Sequence, residues 1–355
     1  MARPVPHSAP KLPGYRIVDV LGKGAMATVY RALHEGLAKP VALKVLHPEV
    51  AADDEYRERF LREGKAAARF NHPNLVRAYE AGSHKGRYYL AMELVEGEDL
   101  SDHLERRGPL EAARALEVGL EVAKALEAAE ANGMVHRDVK AENVLLGSGG
   151  QVKLTDLGLA KLQGDGSLTR EGYTMGTVAY FSPEQCLGRK DVDVRSDLYS
   201  LGVLLHYALR GELPHGRGQN PATTMESILQ DAPPALPEGT PPAARRAIAR
   251  LMAKEREDRP QSGRAAVELL GEALEHLDDP EWAPAGGPSG SGERSPRRRR
   301  KRGRPRALRG TRSDSGLTGV FALGLLIVVA LFLVLVLRSS GGEAYAGPAL
   351  PREAR

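Results

Sequence analysis

The chain has 355 residues, 42% of them hydrophobic and 27% charged. That composition excludes a disordered or disulfide-scaffold protein, and the length suits a large two-lobed domain with tails. The net charge of +4 hides an asymmetry: 11 Lys or Arg and no acid lie between Arg294 and Arg312, so the other residues carry −7, the total less those 11.

Cys186 is the single cysteine. It permits no intrachain disulfide and no Cys-based metal site, agrees with a reducing compartment, and is expected as a small buried packing residue. Residues 1–13 read as a flexible lead. Four prolines and no apolar run fall within residues 1–20, which does not describe a secretory signal. Short strand-like stretches follow at Tyr15–Leu21, Val29–Ala32, Val41–Leu46, Leu75–Ala81 and Tyr88–Leu94. One helical stretch, Asp53–Phe70, interrupts them. After residue 97 long helical periods take over, notably Leu110–Ala131, Arg195–Arg210 and Ala243–Ala253. The pattern is α+β, a small β-rich lobe (14–96) and a larger helical lobe (97–277). A cleft between two such lobes can hold a nucleotide.

Several motifs carry chemistry. Leu21-Gly22-Lys23-Gly24-Ala25-Met26-Ala27-Thr28-Val29 lies between two strands, where glycines let a backbone approach phosphate oxygens. Strand–turn–strand order argues against a dinucleotide fold, which needs strand–turn–helix. Val41-Ala42-Leu43-Lys44 places a lysine on an apolar strand 20 residues after Gly24, where it either snorkels outward to solvent or meets an anion; Glu63 is the expected partner acid. His136-Arg137-Asp138-Val139-Lys140-Ala141-Glu142-Asn143 brings a carboxylate, an amine and an amide into one short segment. Asp156, 18 residues beyond Asp138, opens Asp156-Leu157-Gly158 after the strand-like Val152–Thr155. Asn143 and Asp156 are the oxygen ligands that Mg²⁺ favours.

These motifs, with Gly176-Thr177-Val178-Ala179-Tyr180-Phe181-Ser182-Pro183-Glu184, Asp197 and Arg259, follow one another in the order of a Hanks-type serine/threonine protein kinase, and the chain resembles its membrane-bound bacterial branch. The resemblance covers roughly residues 15–270. It implies the bilobal kinase fold and transfer of the ATP γ-phosphate to Ser/Thr hydroxyls of protein substrates, with Mg²⁺ or, in its place, Mn²⁺. It implies that Asp138 orients or deprotonates the hydroxyl and that Lys140 steadies the γ-phosphate. Lys44, paired with Glu63, would hold the α- and β-phosphates; Asn143 and Asp156 would bind the metal. Leu21, Gly22, Lys23 and Gly24 would cover the nucleotide. Met92 would be the gatekeeper, with Glu93 and Val95 meeting adenine by their backbones and Val29, Ala42 and Leu145 packing on its faces. Glu184 with Arg259, and Asp197, would be structural. Arg137 and Lys161 would bind a phosphate on the activation loop, where Ser167, Thr169 and Thr174 lie; autophosphorylation is expected at Thr169 or Thr174. Leu157 stands where Phe is usual, Ala141 where Pro is usual, and Ala27 at the third glycine. None of these removes a charge, so a pseudokinase scaffold is disfavoured.

Residues 278–316, rich in Pro, Gly, Ser and Arg, read as a disordered linker. Ser315–Leu337 holds 23 residues without a charge. As a helix it would be roughly 34 Å long, enough for a bilayer core of about 30 Å. A transmembrane helix is assigned to 317–337 and an extracytoplasmic tail to 338–355, too short for a folded sensor. The Arg-rich run beside the span suits the cytoplasmic face and anionic lipid better than nucleic acid. The expected location is therefore the cell membrane, single-pass, with the kinase in the cytoplasm; a homodimer is left open.

Overall fold

A computed structural model describes residues 9–157, 175–216 and 220–284. The span 317–337, the Arg-rich run, Lys161, Ser167, Thr169 and Thr174 lie outside the described residues. Among the described residues no helix is long and apolar enough to cross a membrane.

The first lobe is a five-stranded antiparallel sheet in the order β1-β2-β3-β5-β4. Its strands are β1 (Tyr15–Lys23), β2 (Ala27–His34), β3 (Lys39–Leu46), β4 (Ala78–His84) and β5 (Arg87–Glu93). Between β3 and β4 come a short helix α1 (Pro48–Ala51) and α2 (Asp54–Ala67). Asp53 starts α2 by accepting a hydrogen bond from the Tyr56 N–H at 3.1 Å. Phe60 and Gly64 are the buried residues of α2, one turn apart on its inner face. Gly64 lies so close to the sheet that a Cβ there would meet the Ala81 Cβ at 2.7 Å.

The fourth strand starts and ends three residues later than its apolar pattern predicts. Leu75 and Val76 do not join the first sheet, and Arg77 touches it only through its carbonyl, which accepts the Glu93 N–H at 2.8 Å. Val76 N–H donates to the Leu154 carbonyl at 2.9 Å and Leu154 N–H to the Asn74 carbonyl at 2.8 Å, so this segment docks on the second lobe. The Asn74 side-chain amide adds a bond to the Val152 carbonyl at 3.0 Å.

The second lobe carries a small sheet of β6 (Gly97–Asp99), β7 (Val144–Gly147) and β8 (Val152–Leu154). Its helices are α3 (Leu100–Arg107), α4 (Ala112–Ala131), α5 (Met175–Val178), α6 (Pro183–Cys186), α7 (Val194–Arg210), α8 (Pro221–Gln230), α9 (Pro242–Leu251) and α10 (Gly263–Glu275). Helix α7 is the axis of this lobe. Asp193 caps its start, Gly211 in a left-handed conformation ends it, and nearly every residue between is buried. A Cβ on Gly119 of α4 would meet the Leu205 side chain of α7 at 2.8 Å, so a larger residue there would have to displace that leucine.

The expected linker boundary at 278 is corrected. Trp282 is buried within the second lobe's apolar core, and Arg246 donates to the Trp282 and Pro280 carbonyls. An aromatic residue of that area gains enough by burial to draw the chain back onto the domain. The packed region therefore reaches Trp282. Cys186 is buried, as its residue type predicts, and burial pushes its thiol up to about 12.

Glu184 and Arg259 pair inside this lobe. Arg259 is fully buried, and its guanidinium donates to both Glu184 oxygens at 2.7 and 3.0 Å. It also donates to the carbonyls of Ala253, Arg195 and Lys254 at 2.8 to 2.9 Å, and lies 5.0 Å from the Tyr199 ring centre. Such a charge is tolerable only because its donors are used. Arg259→Leu is expected to lower stability by about 3–5 kcal/mol, since it strands the Glu184 carboxylate. Urea unfolding checks this; an unchanged midpoint would contradict it.

Candidate active site

Register builds one wall of the cleft. Val29 pairs with Lys44, Ala42 pairs with Met92, and Lys44 pairs with Leu90. Side chains alternate along a strand, so Val29, Ala42, Lys44 and Met92 share one sheet face. Leu145 comes from β7 in the other lobe, paired with Asp99 and Lys153. Val95 lies in the connection between β5 and β6.

The glycine segment forms a tight β1–β2 hairpin, closed by the Gly24 N–H on the Ala27 carbonyl at 2.9 Å. Leu21, Gly22 and Lys23 end β1. Neither Gly22 nor Gly24 has a positive φ, and a Cβ on Gly22 would meet no atom within 4 Å. What glycine supplies here is open space above the backbone. The hairpin tip is held from beneath. His47 ring nitrogens bond Thr28 Oγ1 at 3.0 Å and the Ala25 carbonyl at 3.1 Å, and the Tyr56 hydroxyl donates to Met26 Sδ at 3.0 Å.

The other wall is the segment from His136 to Asn143. Asp197, buried near the start of α7, accepts the His136 N–H at 2.8 Å and the Arg137 N–H at 2.7 Å. Burial pushes its carboxyl up to about 6, against the pull of His136 and those two donors. Arg137 has φ +67, a left-handed conformation that a non-glycine residue adopts at a cost. The turn it makes presents Asp138. Asn143 Nδ2 donates to the Asp138 carbonyl at 2.7 Å and to Asp138 Oδ2 at 3.0 Å. Lys140 Nζ lies 2.9 Å from the same Oδ2 and donates to Thr177 Oγ1 at 3.2 Å. Asp138, Lys140 and Asn143 thus form one cluster.

Asp156 follows β8 with φ +64. Its Oδ2 accepts Lys44 Nζ at 2.8 Å across the cleft. Burial alone would raise this carboxyl, but the Lys44 charge and hydrogen bond, with His136 and Lys140 behind them, hold it below the usual carboxylate range. A carboxyl depressed in this way stabilises the fold above pH ~4, and the contribution fades as pH falls. Leu157 packs at the edge of the second lobe's core, which fits its place as an apolar substitute for Phe.

The expected Lys44–Glu63 pair is not made. Lys44 is bonded to Asp156, and Glu63 sits 3.8 Å from Arg62 on its own helix. Glu63 flanks the buried Phe60–Gly64 stripe rather than belonging to it. Residue type and spacing do not report how α2 is turned against the sheet.

Two functional contacts escaped the sequence reading. Lys153 on β8 donates to Glu93 Oε2 at 3.1 Å, tying the second lobe to the end of β5. Gln185 Nε2 donates to the Arg137 carbonyl at 3.2 Å. The signal for Gln185 was present: Ser182-Pro183-Glu184-Gln185 has the spacing of a capping box, which the structure contains.

The domain model for the protein kinase domain matches residues 15–273. The chain belongs to the protein kinase family. Serine/threonine-protein kinase PknA of Mycobacterium tuberculosis (strain H37Rv) is 39% identical over 254 residues, 70% of this chain and 58% of that protein. PknJ of the same strain is 41% identical over 250 residues, 68% of this chain and 42% of that protein. The match therefore spans about half the length of these relatives. The solved M. tuberculosis PknI kinase domain superposes with a TM-score of 0.61 at 33% identity, covering 76% of this chain and 100% of that one. The two lobes described above are the bilobal kinase fold.

Lys44→Met removes the charge that depresses Asp156. The Asp156 carboxyl is expected to titrate at higher pH in that variant, read by its ¹³C NMR resonance; an unmoved midpoint would show that Lys44 is not the cause.

Proposed function

We propose that this kinase domain transfers the γ-phosphate of ATP to serine or threonine hydroxyls of protein substrates. The observation that carries the reading is the convergence of Asp138, Lys140 and Asn143 from one segment opposite Lys44 and Asp156. The similar PknA and PknJ, both named serine/threonine-protein kinases, support it.

The residues fit ATP and Mg²⁺. Asn143 spends its amide nitrogen on Asp138, which leaves its carbonyl oxygen for a cation. With Asp156 that makes a hard-oxygen donor pair. Among the described residues no cluster of three or more His, Cys, Asp or Glu could hold a metal, so phosphate and water would complete the sphere. Asn143 and Asp156 would hold Mg²⁺, which supplies neutralisation of phosphate charge when bound. Lys44 would hold the α- and β-phosphates, the Leu21–Gly24 segment would lie over them, and Glu93 and Val95 would meet adenine between Val29, Ala42, Met92 and Leu145.

Asp138 accepts the proton of the substrate hydroxyl. Both of its neighbours bind Oδ2, so Oδ1 is the oxygen that faces an incoming hydroxyl. Lys140, held between Asp138 and Thr177, would steady the transferring phosphate. Glu63 would replace Asp156 as the partner of Lys44 once α2 turns inward. Asp138→Asn is expected to abolish phosphate transfer while retaining ATP binding, measured by radiolabel transfer and nucleotide titration. Comparable transfer by both proteins would refute the reading.

The reading extends to regulation and place. Arg137 Nε is buried and meets no acceptor among the described residues. A phosphate on the activation loop is the partner such a guanidinium favours. Arg137 and Lys161 would bind it, with Thr169 or Thr174 as the acceptor of autophosphorylation. Thr169→Ala with Thr174→Ala should lower activity at least about tenfold; full activity would sink this part. Residues 317–337 would span the cell membrane, with the Arg-rich run against anionic lipid on the cytoplasmic side. Protease added to inside-out vesicles should digest the kinase domain; a protected domain would reverse the topology.

A further inference from the structure

We propose that Gln185 is a positioning residue, coupling the segment that precedes α6 to Asp138 by holding the strained peptide of Arg137. The proposal rests on the kinase reading for its effect on activity and on geometry for the rest.

Gln185 sits in α6, and its side-chain orientation is decided by its partners. Oε1 accepts the Ser182 N–H at 3.0 Å and the Ser182 hydroxyl at 3.1 Å. Only a carbonyl oxygen can accept both, so the amide nitrogen must point the other way. There it donates to the Arg137 carbonyl at 3.2 Å. The peptides on both sides of the Arg137 Cα are then held: Asp197 takes the N–H of the first at 2.7 Å and Gln185 the C=O of the second. The residue between those bonds has φ +67. A left-handed non-glycine residue persists when its surroundings over-determine it. Asp138 is the next residue along the chain, so any relaxation of this turn swings its carboxylate.

The second half of the argument is where the Gln185 backbone lies. Residues 177–185 are attached to the catalytic segment at both ends and in the middle, where Tyr180 hydrogen-bonds the Ala141 backbone. Lys140 reaches Thr177 at one end, and Gln185 reaches Arg137 at the other. Between them Ser200 Oγ donates to the Tyr180 carbonyl at 2.7 Å, anchoring the middle to α7. A movement at residues 177–182 therefore reaches Asp138 through the Gln185 amide as well as through Lys140. Reacting groups misplaced by about 1 Å cost large factors in rate, so a single such bond is worth a measurable part of kcat.

The test uses the full chain with casein as the phosphate acceptor. Gln185→Glu keeps an oxygen to accept the Ser182 N–H but has no donor for the Arg137 carbonyl. Gln185→Met keeps the length and loses all three side-chain bonds. The expected results for Gln185→Glu are a Tm close to wild type, a kcat about tenfold lower and an unchanged KM for ATP. Amide exchange across residues 136–139 should be faster than in wild type. Gln185→Met should show the same loss of kcat with a lower Tm, measured where it is folded, and it decides the matter if Gln185→Glu does not fold. Wild-type kcat in either folded variant, a loss confined to KM for casein, or unaltered exchange across 136–139 would overturn the proposal. Two variants that both fail to fold would also overturn it, by making Gln185 a folding residue. A wild-type protein that phosphorylates neither casein nor itself would defeat the kinase reading instead; the exchange measurement would still decide whether Gln185 holds the turn.

Discussion

The site depends on one buried carboxylate. Asp197 takes two consecutive backbone N–H groups, those of His136 and Arg137, and carries them on the most deeply buried of the described helices. A backbone bent through a positive φ would relax in solution. Here it is bonded to an element whose position is set by packing on nearly every face. The same helix also brings Ser196 to Glu184 and the Arg195 carbonyl to Arg259. One apolar helix thereby organises both the chemistry-bearing turn and the ion pair that holds the second lobe together.

The electrostatics of the cleft follow from an excess of charged groups in a partly shielded volume. Lys44, Asp156, Asp138 and Lys140 are each largely covered, with side-chain exposure between 18% and 24%. Charges at that depth interact more strongly than on the surface. Each cation therefore takes a carboxylate: Lys44 with Asp156 and Lys140 with Asp138. Glu63 is the acid left to a distant, weaker contact with Arg62. A polyphosphate would compete for the same lysines.

Much of the site was legible because its residues are close in sequence or have unusual chemistry for their setting. Asp138, Lys140 and Asn143 lie within six residues, and any compact turn would bring them together. A lysine on an apolar strand, Lys44, and an acid before a glycine, Asp156, stand out as residues in need of a partner. The strands of the first lobe and the long helices were readable from periodicity. Leu75–Arg77 were misread as strand in the first sheet because an apolar stretch looks the same whichever partner it pairs with. Trp282 lay hidden in a segment whose Pro and Gly content argued for a linker. Gln185 and Lys153 carry ordinary polar side chains, and only their neighbours make them important.

The sequence by itself determined the chemistry available: which groups can donate, accept or bind a cation, and which local segments must turn or coil. It determined these because residue type, capping and period act over a few positions. Only the tertiary structure decided which acid Lys44 meets, which peptide Gln185 holds and where the chain leaves the core. Those outcomes depend on rotations and translations of whole elements, set by packing between residues more than 30 positions apart, and no local pattern carries that information.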